Sequence, residues 1–292
     1  MKNKGFIIFL IILLVCLCIG VTVLFIKLLN GEFNFSKFSF TSESKTLVLD
    51  KTYELEFSKI KINTEAGNIY IKTNNENNIK VLIYSEKNAN INTNDELNID
   101  VPSKSCHGMC FNKKIARIEV YIPSTYDKQI TIENDYGNIK IDKFMNADIE
   151  IIEDSGNVDI EGANYVDIEN DYGNITIDKV NSAYIIESAG NVKIGTVDNL
   201  KVENDYGNIE IKKVLNHVDI IEDCGNVEID ELFINEDSKI VNNLGNIKIK
   251  NTNEIFIKAT TDLGKVQINN NYEKSDITLT IENDCGDIKV NN

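Results

Sequence analysis

The sequence predicts an all-β fold, a single-chain β-solenoid built as a parallel β-helix-like stack of coils of about 18 residues, preceded by one transmembrane helix. Three observations predict the solenoid. A phrase recurs as IENDYGNIKID from Ile132, IENDYGNITID from Ile168, VENDYGNIEIK from Val202 and IENDCGDIKV from Ile281. Variants of a second spelling alternate with it, IIEDSGNVDIE from Ile151, IIESAGNVKIG from Ile185 and IIEDCGNVEID from Ile220. Turn glycines therefore return at near-constant spacing, at Gly137, Gly156, Gly173, Gly190, Gly207, Gly225, Gly245, Gly264 and Gly286, with Gly67 an outlying earlier copy.

The third observation is the aliphatic pattern around each glycine. Two residues after it stand Ile69, Ile139, Val158, Ile175, Val192, Ile209, Val227, Ile247, Val266 and Ile288, and four after it every residue from Ile71 to Val290 is again Ile or Val. Side chains two apart in a strand share a face, so these positions form one inward wall. Five before the glycine the wall continues through Ile132, Ile151, Ile168, Ile185, Val202, Ile220, Ile240, Ala259 and Ile281. Each coil is thus expected to hold two short strands around a turn. The turn carries Asp two before the glycine in most units and Asn after it, residues that bond their own backbone across a bend, while Asn stacked coil on coil can pair in a ladder. At about 4.8 Å per coil, nine consecutive coils make a rod of roughly 43 Å.

The repeat resembles the bacterial adhesin family of β-solenoid domains, also called toast-rack domains, from about Tyr53 to the C-terminus. That resemblance implies an envelope-exposed β-solenoid with no catalytic residue to carry over.

Before the repeats, Phe6 to Ile26 runs without a charge between Lys4 and Lys27. At 1.5 Å per residue it spans about 30 Å, the thickness of a bilayer core, and it exceeds the apolar region of a cleavable signal peptide. Residues 1–30 are therefore expected to be an uncleaved signal anchor through residues 6–26, with the solenoid on the extracytoplasmic side of the cell membrane. Cys16 and Cys18 lack the preceding small residue of a lipidation site. Residues 31–52 are expected to be a stem. Its Phe33, Phe35, Phe38 and Phe40 suit either a membrane interface or a strand. Residues 53–129 are expected to hold the first coil and an irregular N-terminal cap, and residues 130–292 the regular repeats.

The cap contains Cys106-His-Gly-Met-Cys110. A disulfide between Cys106 and Cys110 suits an oxidising exterior. Soft copper ligands are also present, although five contiguous residues rarely enclose a metal alone, and free thiols are the third reading. Cys224 and Cys285, three units apart along the sequence, are expected to lie too far apart to bridge, and His217 to be an exposed corner.

The chain carries a net charge of −16, of which Lys2, Lys4 and Lys27 contribute three positive charges, leaving −19 beyond residue 30. Such a surface repels phosphates, which argues against nucleic acid as a partner. Glu133, Asp135, Glu169, Asp171, Glu203 and Asp205 recur near the turns, but a calcium β-roll has more glycine and a shorter period. Arg117 is the only arginine. No cofactor, metal or reaction is implied, and the chain is expected not to be an enzyme. Adhesion or protein interaction with a protein or cell-surface ligand is the expected function. An envelope stress or signalling accessory that binds a membrane partner is the alternative, and a polysaccharide-active enzyme a distant third. The last strand pair, Thr278, Leu279, Thr280, Ile281 with Asp287, Ile288, Lys289, Val290, is expected to be the open edge of the stack, available for self-association.

Overall fold

The computed structural model describes residues 42–102 and 114–291. The expected anchor at 6–26, the phenylalanines of the stem and the Cys106–Cys110 loop lie outside the described residues. No helix among the described residues is long and apolar enough to cross a membrane.

The chain enters through β1 (Ser42–Glu43) and β2 (Leu47–Glu54), so the last residues of the expected stem are already sheet. It continues through β3 (Lys59–Thr64), β4 (Gly67–Asn74), β5 (Asn78–Tyr84), β6 (Asn90–Thr93), β7 (Glu96–Val101) and β8 (Lys114–Pro123). Strands β7 and β8 form the outermost coil, pairing in parallel with β3 and β4 on their inner side. Their outer sides are covered by antiparallel neighbours, β7 by β6 and β8 by β5, with β2 added on β5. The lapse of the repeat after Lys72 has this cause: the residues build a cover as well as a coil.

The regular stack follows in β9 (Gln129–Asn134), β10 (Ile139–Ser155), β11 (Val158–Tyr172), β12 (Ile175–Ala189), β13 (Val192–Tyr206), β14 (Ile209–Cys224) and β15 (Val227–Leu232). The expected two short strands per coil are in fact one strand of 15 to 17 residues from β10 to β14, interrupted only at the glycine turn. Pairing persists around the corner, as in Lys143 with Gly162 and Lys179 with Thr196, and register shifts there absorb the unequal repeat lengths. A further buried position seven residues after the glycine holds Phe144, Ala163, Val180, Val197, Val214 and Leu232. Together with the expected Ile and Val wall it closes the coil interior into one hydrophobic cluster.

The last strands are β16 (Ser238–Leu244), β17 (Ile247–Ile249), β18 (Phe256–Leu263), β19 (Val266–Ile268), β20 (Thr278–Cys285) and β21 (Ile288–Val290). Here the order in space departs from the order in sequence. Strand β20 lies between β16 and β18, and β21 lies between β17 and β19. The expected open edge at Thr278 to Ile281 and Asp287 to Val290 is therefore corrected: these strands are paired on both sides, and the outer coil is β18–β19. The physical reason lies in side chains. Leu279, Ile281, Asn283, Ile288 and Val290 form a complete, buried interior set, whereas the same positions in the earlier coil hold Ile257, Ala259, Thr261, Val266 and Ile268, of which only Ile257 is buried. The better-filled coil takes the inside place, and the segment from Asn269 to Ile277 carries the chain back over it.

Candidate interaction surfaces

The turn edge is built from four columns, each with one residue per coil. The first is an asparagine ladder. From Asn138 to Asn246, each Asn sends both its backbone N–H and its side-chain NH₂ to the Oδ1 of the Asn in the neighbouring coil, as from Asn191 to Asn174 at 3.2 and 2.9 Å. All bonds point the same way, so the amides polarise one another. The ladder begins at Asn68, whose Nδ2 donates to Glu43 Oε1 at 2.7 Å, and it continues past Asn246 through the Asp287 backbone N–H, while Asp287 Oδ1 accepts from Lys265 N–H. The coil-to-coil pairing expected of stacked asparagines is thus present.

The second column lies inside. Three residues before the turn glycine stand Thr64, Asn134, Glu153, Asn170, Glu187, Asn204, Glu222, Asn242 and Asn283, all buried. Asn and Glu alternate through the middle, with Asn134, Asn170 and Asn204 each donating Nδ2 to the Oε2 of Glu153, Glu187 and Glu222 at 2.6 Å. Burial pushes Glu187 and Glu222 up to about 8, against the opposing pull of those Asn bonds, and pushes Glu153 well above the carboxylate range. At neutral pH a value of about 8 favours the protonated form of Glu187 and Glu222. Each proton supplies a donor where acceptors are in excess, since the Oδ1 atoms of Asn134, Asn170, Asn204 and Asn242 have no partner among the described residues. The alternation also sets the turn. Glycines of Asn-bearing coils, such as Gly173 with φ 157°, are left-handed, a conformation open to Gly alone at low cost. In both kinds of coil a Cβ would also collide with the glycine carbonyl of the neighbouring coil, at Gly173 with that of Gly156 and at Gly190 with that of Gly173.

The outer columns face solvent. Two before the glycine, Asp135, Asp154, Asp171, Asp205, Asp223 and Asp284 are exposed, and Asp135 is raised by partial burial and then by the like charges of Asp154 and Glu65. One before the glycine, paired residues run Ser155, Tyr172, Ala189, Tyr206, Cys224, Leu244, Cys285, Leu263. Large and small alternate, and Tyr172 at 63%, Tyr206 at 62%, Leu244 at 53% and Leu263 at 71% are unusually exposed for their size. The recurring phrase carries a tyrosine just before the turn glycine at Tyr136, Tyr172 and Tyr206, but neither register nor exposure shows in it.

The remaining sequence candidates do not converge. Glu133 and Glu203 bond to Lys61 and Lys201 rather than gathering with their neighbouring aspartates. No group of three His, Cys, Asp or Glu among the described residues is placed to hold a metal ion. Cys224 and Cys285 are free thiols, two coils apart rather than the three counted along the chain, because β20 sits next to β16. His217 is half-buried rather than exposed, with Nδ1 3.4 Å from Ser238 Oγ. Arg117 closes the other end of the molecule, its guanidinium stacked 3.8 Å from the Tyr84 ring centroid and within 3.8 and 3.5 Å of Glu43 and Glu119.

Several solved structures are similar to this chain. A candidate adhesin from Bacteroides fragilis NCTC 9343 is 18% identical, with 86% of this chain and 99% of that chain covered and a TM-score of 0.42. A candidate adhesin from Parabacteroides merdae ATCC 43184 is 11% identical over the same shares, with a TM-score of 0.46. A candidate cell adhesion protein from Clostridium sporogenes ATCC 15579 is 17% identical, covering 83% of this chain and 99% of that one at a TM-score of 0.24. No curated protein matches in sequence. The Toastrack DUF4097 family profile matches residues 57–292, which span β3 to β21 and all ten turn glycines, and the chain belongs to that family.

Proposed function

We propose that this protein is a membrane-anchored, extracytoplasmic module for adhesion or protein interaction, with the uncharged run at residues 6–26 as its anchor. The observation that carries the reading is the in-register column of exposed Tyr172, Tyr206, Leu244 and Leu263 along one edge. Contiguous exposed apolar side chains mark interaction surfaces, and tyrosines are favoured anchors because they bring large contact area at small entropic cost. The parallel row of aspartates selects for a partner with positive charge facing it. A non-enzymatic role is the natural companion of this reading, because the acids with strongly raised pKa, Glu153, Glu187 and Glu222, are sealed inside the coils, away from any substrate.

Two experiments test it. Protease added to intact cells should digest the solenoid, and full protection until lysis would place it on the cytoplasmic side and overturn the location. Tyr172→Ala with Tyr206→Ala should reduce capture of the partner from intact membranes and reduce surface attachment, with the melting temperature unchanged. Undiminished capture and attachment would remove the tyrosine column as the binding surface.

A further inference from the structure

Strand β18 pairs with β20 on one side, and among the described residues no strand lies on its other side. Its start is nonetheless occupied. Asn271 Oδ1 accepts from Ile257 N–H at 2.8 Å and Asn271 Nδ2 donates to Ile257 C=O at 2.9 Å, so one side-chain amide stands in for a neighbouring strand. These bonds also fix the phase of the strand. Ile257 turns its backbone groups outward and Phe256 turns its N–H inward to Ile277, so alternation presents the groups of Ala259 and Thr261 on the open side.

The side chains of the same stretch carry a second pattern. Lys258, Thr260 and Asp262 are exposed on the outer face, and neither Lys258 nor Asp262 makes an ion pair among the described residues. An antiparallel copy of this strand related by a twofold axis at Thr260 sets Ala259 opposite Thr261, in the phase that exchanges backbone hydrogen bonds. It sets Lys258 opposite Asp262 on both sides of the axis. A twofold at Ala259 or Thr261 would pair a charge with Thr260 and break this match. Opposite charges on directly facing residues stabilise antiparallel pairs, and like charges destabilise them. The contact would also cover the end of the stack at which Val266, 42% exposed, and the half-buried Ile268 are open to solvent.

We propose that the outer strand Phe256–Leu263 is a self-recognition edge, through which two copies of this chain pair antiparallel, end to end, about Thr260. Ser42 and β1 lie at the opposite end of the stack, against β8. On the proposed extracytoplasmic placement, pairing would therefore join the far ends of two rods; that biological reading rests on the proposed function, while the pairing itself does not.

Residues facing each other in the non-hydrogen-bonded phase have Cα atoms about 4.5 Å apart, within disulfide reach. Full-length Thr260→Cys in detergent should therefore oxidise to a covalent dimer well above the level formed by the parent, which keeps its own cysteines. Thr280→Cys, on the covered strand β20, should stay at that level. Adding Lys258→Asp or Asp262→Lys to Thr260→Cys should each abolish the dimer, and mixing the two double variants should restore it as a heterodimer. No dimer above the parent's level, or a dimer indifferent to either charge reversal, would overturn the pairing. Retained tyrosine-dependent attachment in a pairing-deficient variant would separate its failure from that of the proposed function.

Discussion

The two ends of the stack solve the same physical problem in different ways. A terminal coil exposes unpaired backbone groups and one side of its apolar interior. At the β7–β8 end the interior stays fully apolar, with Leu97, Ile99, Val101, Ile118, Val120 and Ile122 all buried. This is sustainable because β6 and β5 close both strands and Arg117 of β8 stacks on Tyr84 of β5, while ion pairs of Arg117 with Glu43 and of Glu119 with Arg117 and Lys72 tie β8 to β1 and β4. At the β18–β19 end no strand covers the coil among the described residues, and the connecting segment reaches only the start of β18, through Asn271 and Tyr272. The coil itself is diluted, with Ala259 and Thr261 replacing the Ile and Asn or Glu found within the stack, and the chain doubles back so that its richest late coil is inside. One end is protected by added structure and the other by reduced demand. An end of the second kind remains available for contact.

The largest expected effect comes from placing the same charge at the same repeat position in both outer coils. Val120 pairs with Ile71, four residues after a turn glycine, and Ile268 occupies that position in β19. Val120→Asp buries an unpaired carboxylate and should cost about 3–5 kcal/mol, whereas Ile268→Asp, half-exposed, should cost less than about 1 kcal/mol. Urea denaturation of the two variants measures this directly. Equal losses would show that the ends are covered alike.

The middle of the stack differs from both ends in carrying titratable groups in its interior. Thr64 and Thr261 hold the inner turn position toward the ends, and Glu153, Glu187 and Glu222 hold it between. Folded Glu187 and Glu222 titrate near 8 and their ordinary value is 4.5, so across that interval the folded state binds more protons than the unfolded one. Their stabilising contribution is complete below about pH 4.5 and is lost as pH rises through about 8. The melting temperature should therefore fall from pH 5 to pH 9, and Glu187→Gln, which keeps an N–H donor without a charge, should flatten that slope. A wild-type melting temperature that does not fall over this range would contradict a protonated column. As pH rises, hydrogen-exchange protection corrected for the base-catalysed intrinsic rate should fall first in β11 to β14 and later in β3 and β4.

A smaller contrast sets the middle against the open end. Val192 and Val266 both follow a turn glycine by two residues, the first buried and the second 42% exposed. Val192→Ala should cost about 2 kcal/mol from lost burial and the cavity left behind, and Val266→Ala less than about 0.5 kcal/mol. Calorimetry on the pair would show whether a coil's place in the stack, rather than its place in the repeat, sets the energetic weight of a residue.

The same distinction explains what could be read from the sequence. Through the middle, the period is strict enough that Ile139, Ile141, Ile149 and Ile151 announce their faces, and the Asn column after the glycine announces its ladder. Coil order at the ends was not legible, because nothing local in IENDCGDIKV says that it lies between β16 and β18. Its place as the last repeat in the sequence suggested a terminal coil, when its close match to the repeat is the very reason it is internal. The buried Asn and Glu column was hidden for another reason. Polar residues beside a turn ordinarily face water, and only the alternation of Asn134, Glu153, Asn170, Glu187, Asn204 and Glu222 signalled a paired interior. The tyrosine column needed the register to be seen, since Tyr136, Tyr172 and Tyr206 are far apart in the chain.

The most local expected effect concerns the side chain that caps the start of β18 at the open end. Asn271 satisfies both backbone groups of Ile257, a residue whose side chain is buried while its peptide sits at the edge. Asn271→Ala removes two hydrogen bonds from the edge, but water can replace them there, so the cost should be about 1 kcal/mol and confined to the start of β18. Tyr272 N–H, 3.3 Å from Ile255 C=O, would hold the connecting segment in place after the change. Hydrogen exchange at the Ile257 amide should quicken by about tenfold, the equivalent of 1.4 kcal/mol at most, while amides in β16 and β20 stay as slow as in the parent. If exchange quickened equally across β16, β18 and β20, Asn271 would be supporting the whole late stack rather than covering its edge, and the end would be closed by packing after all.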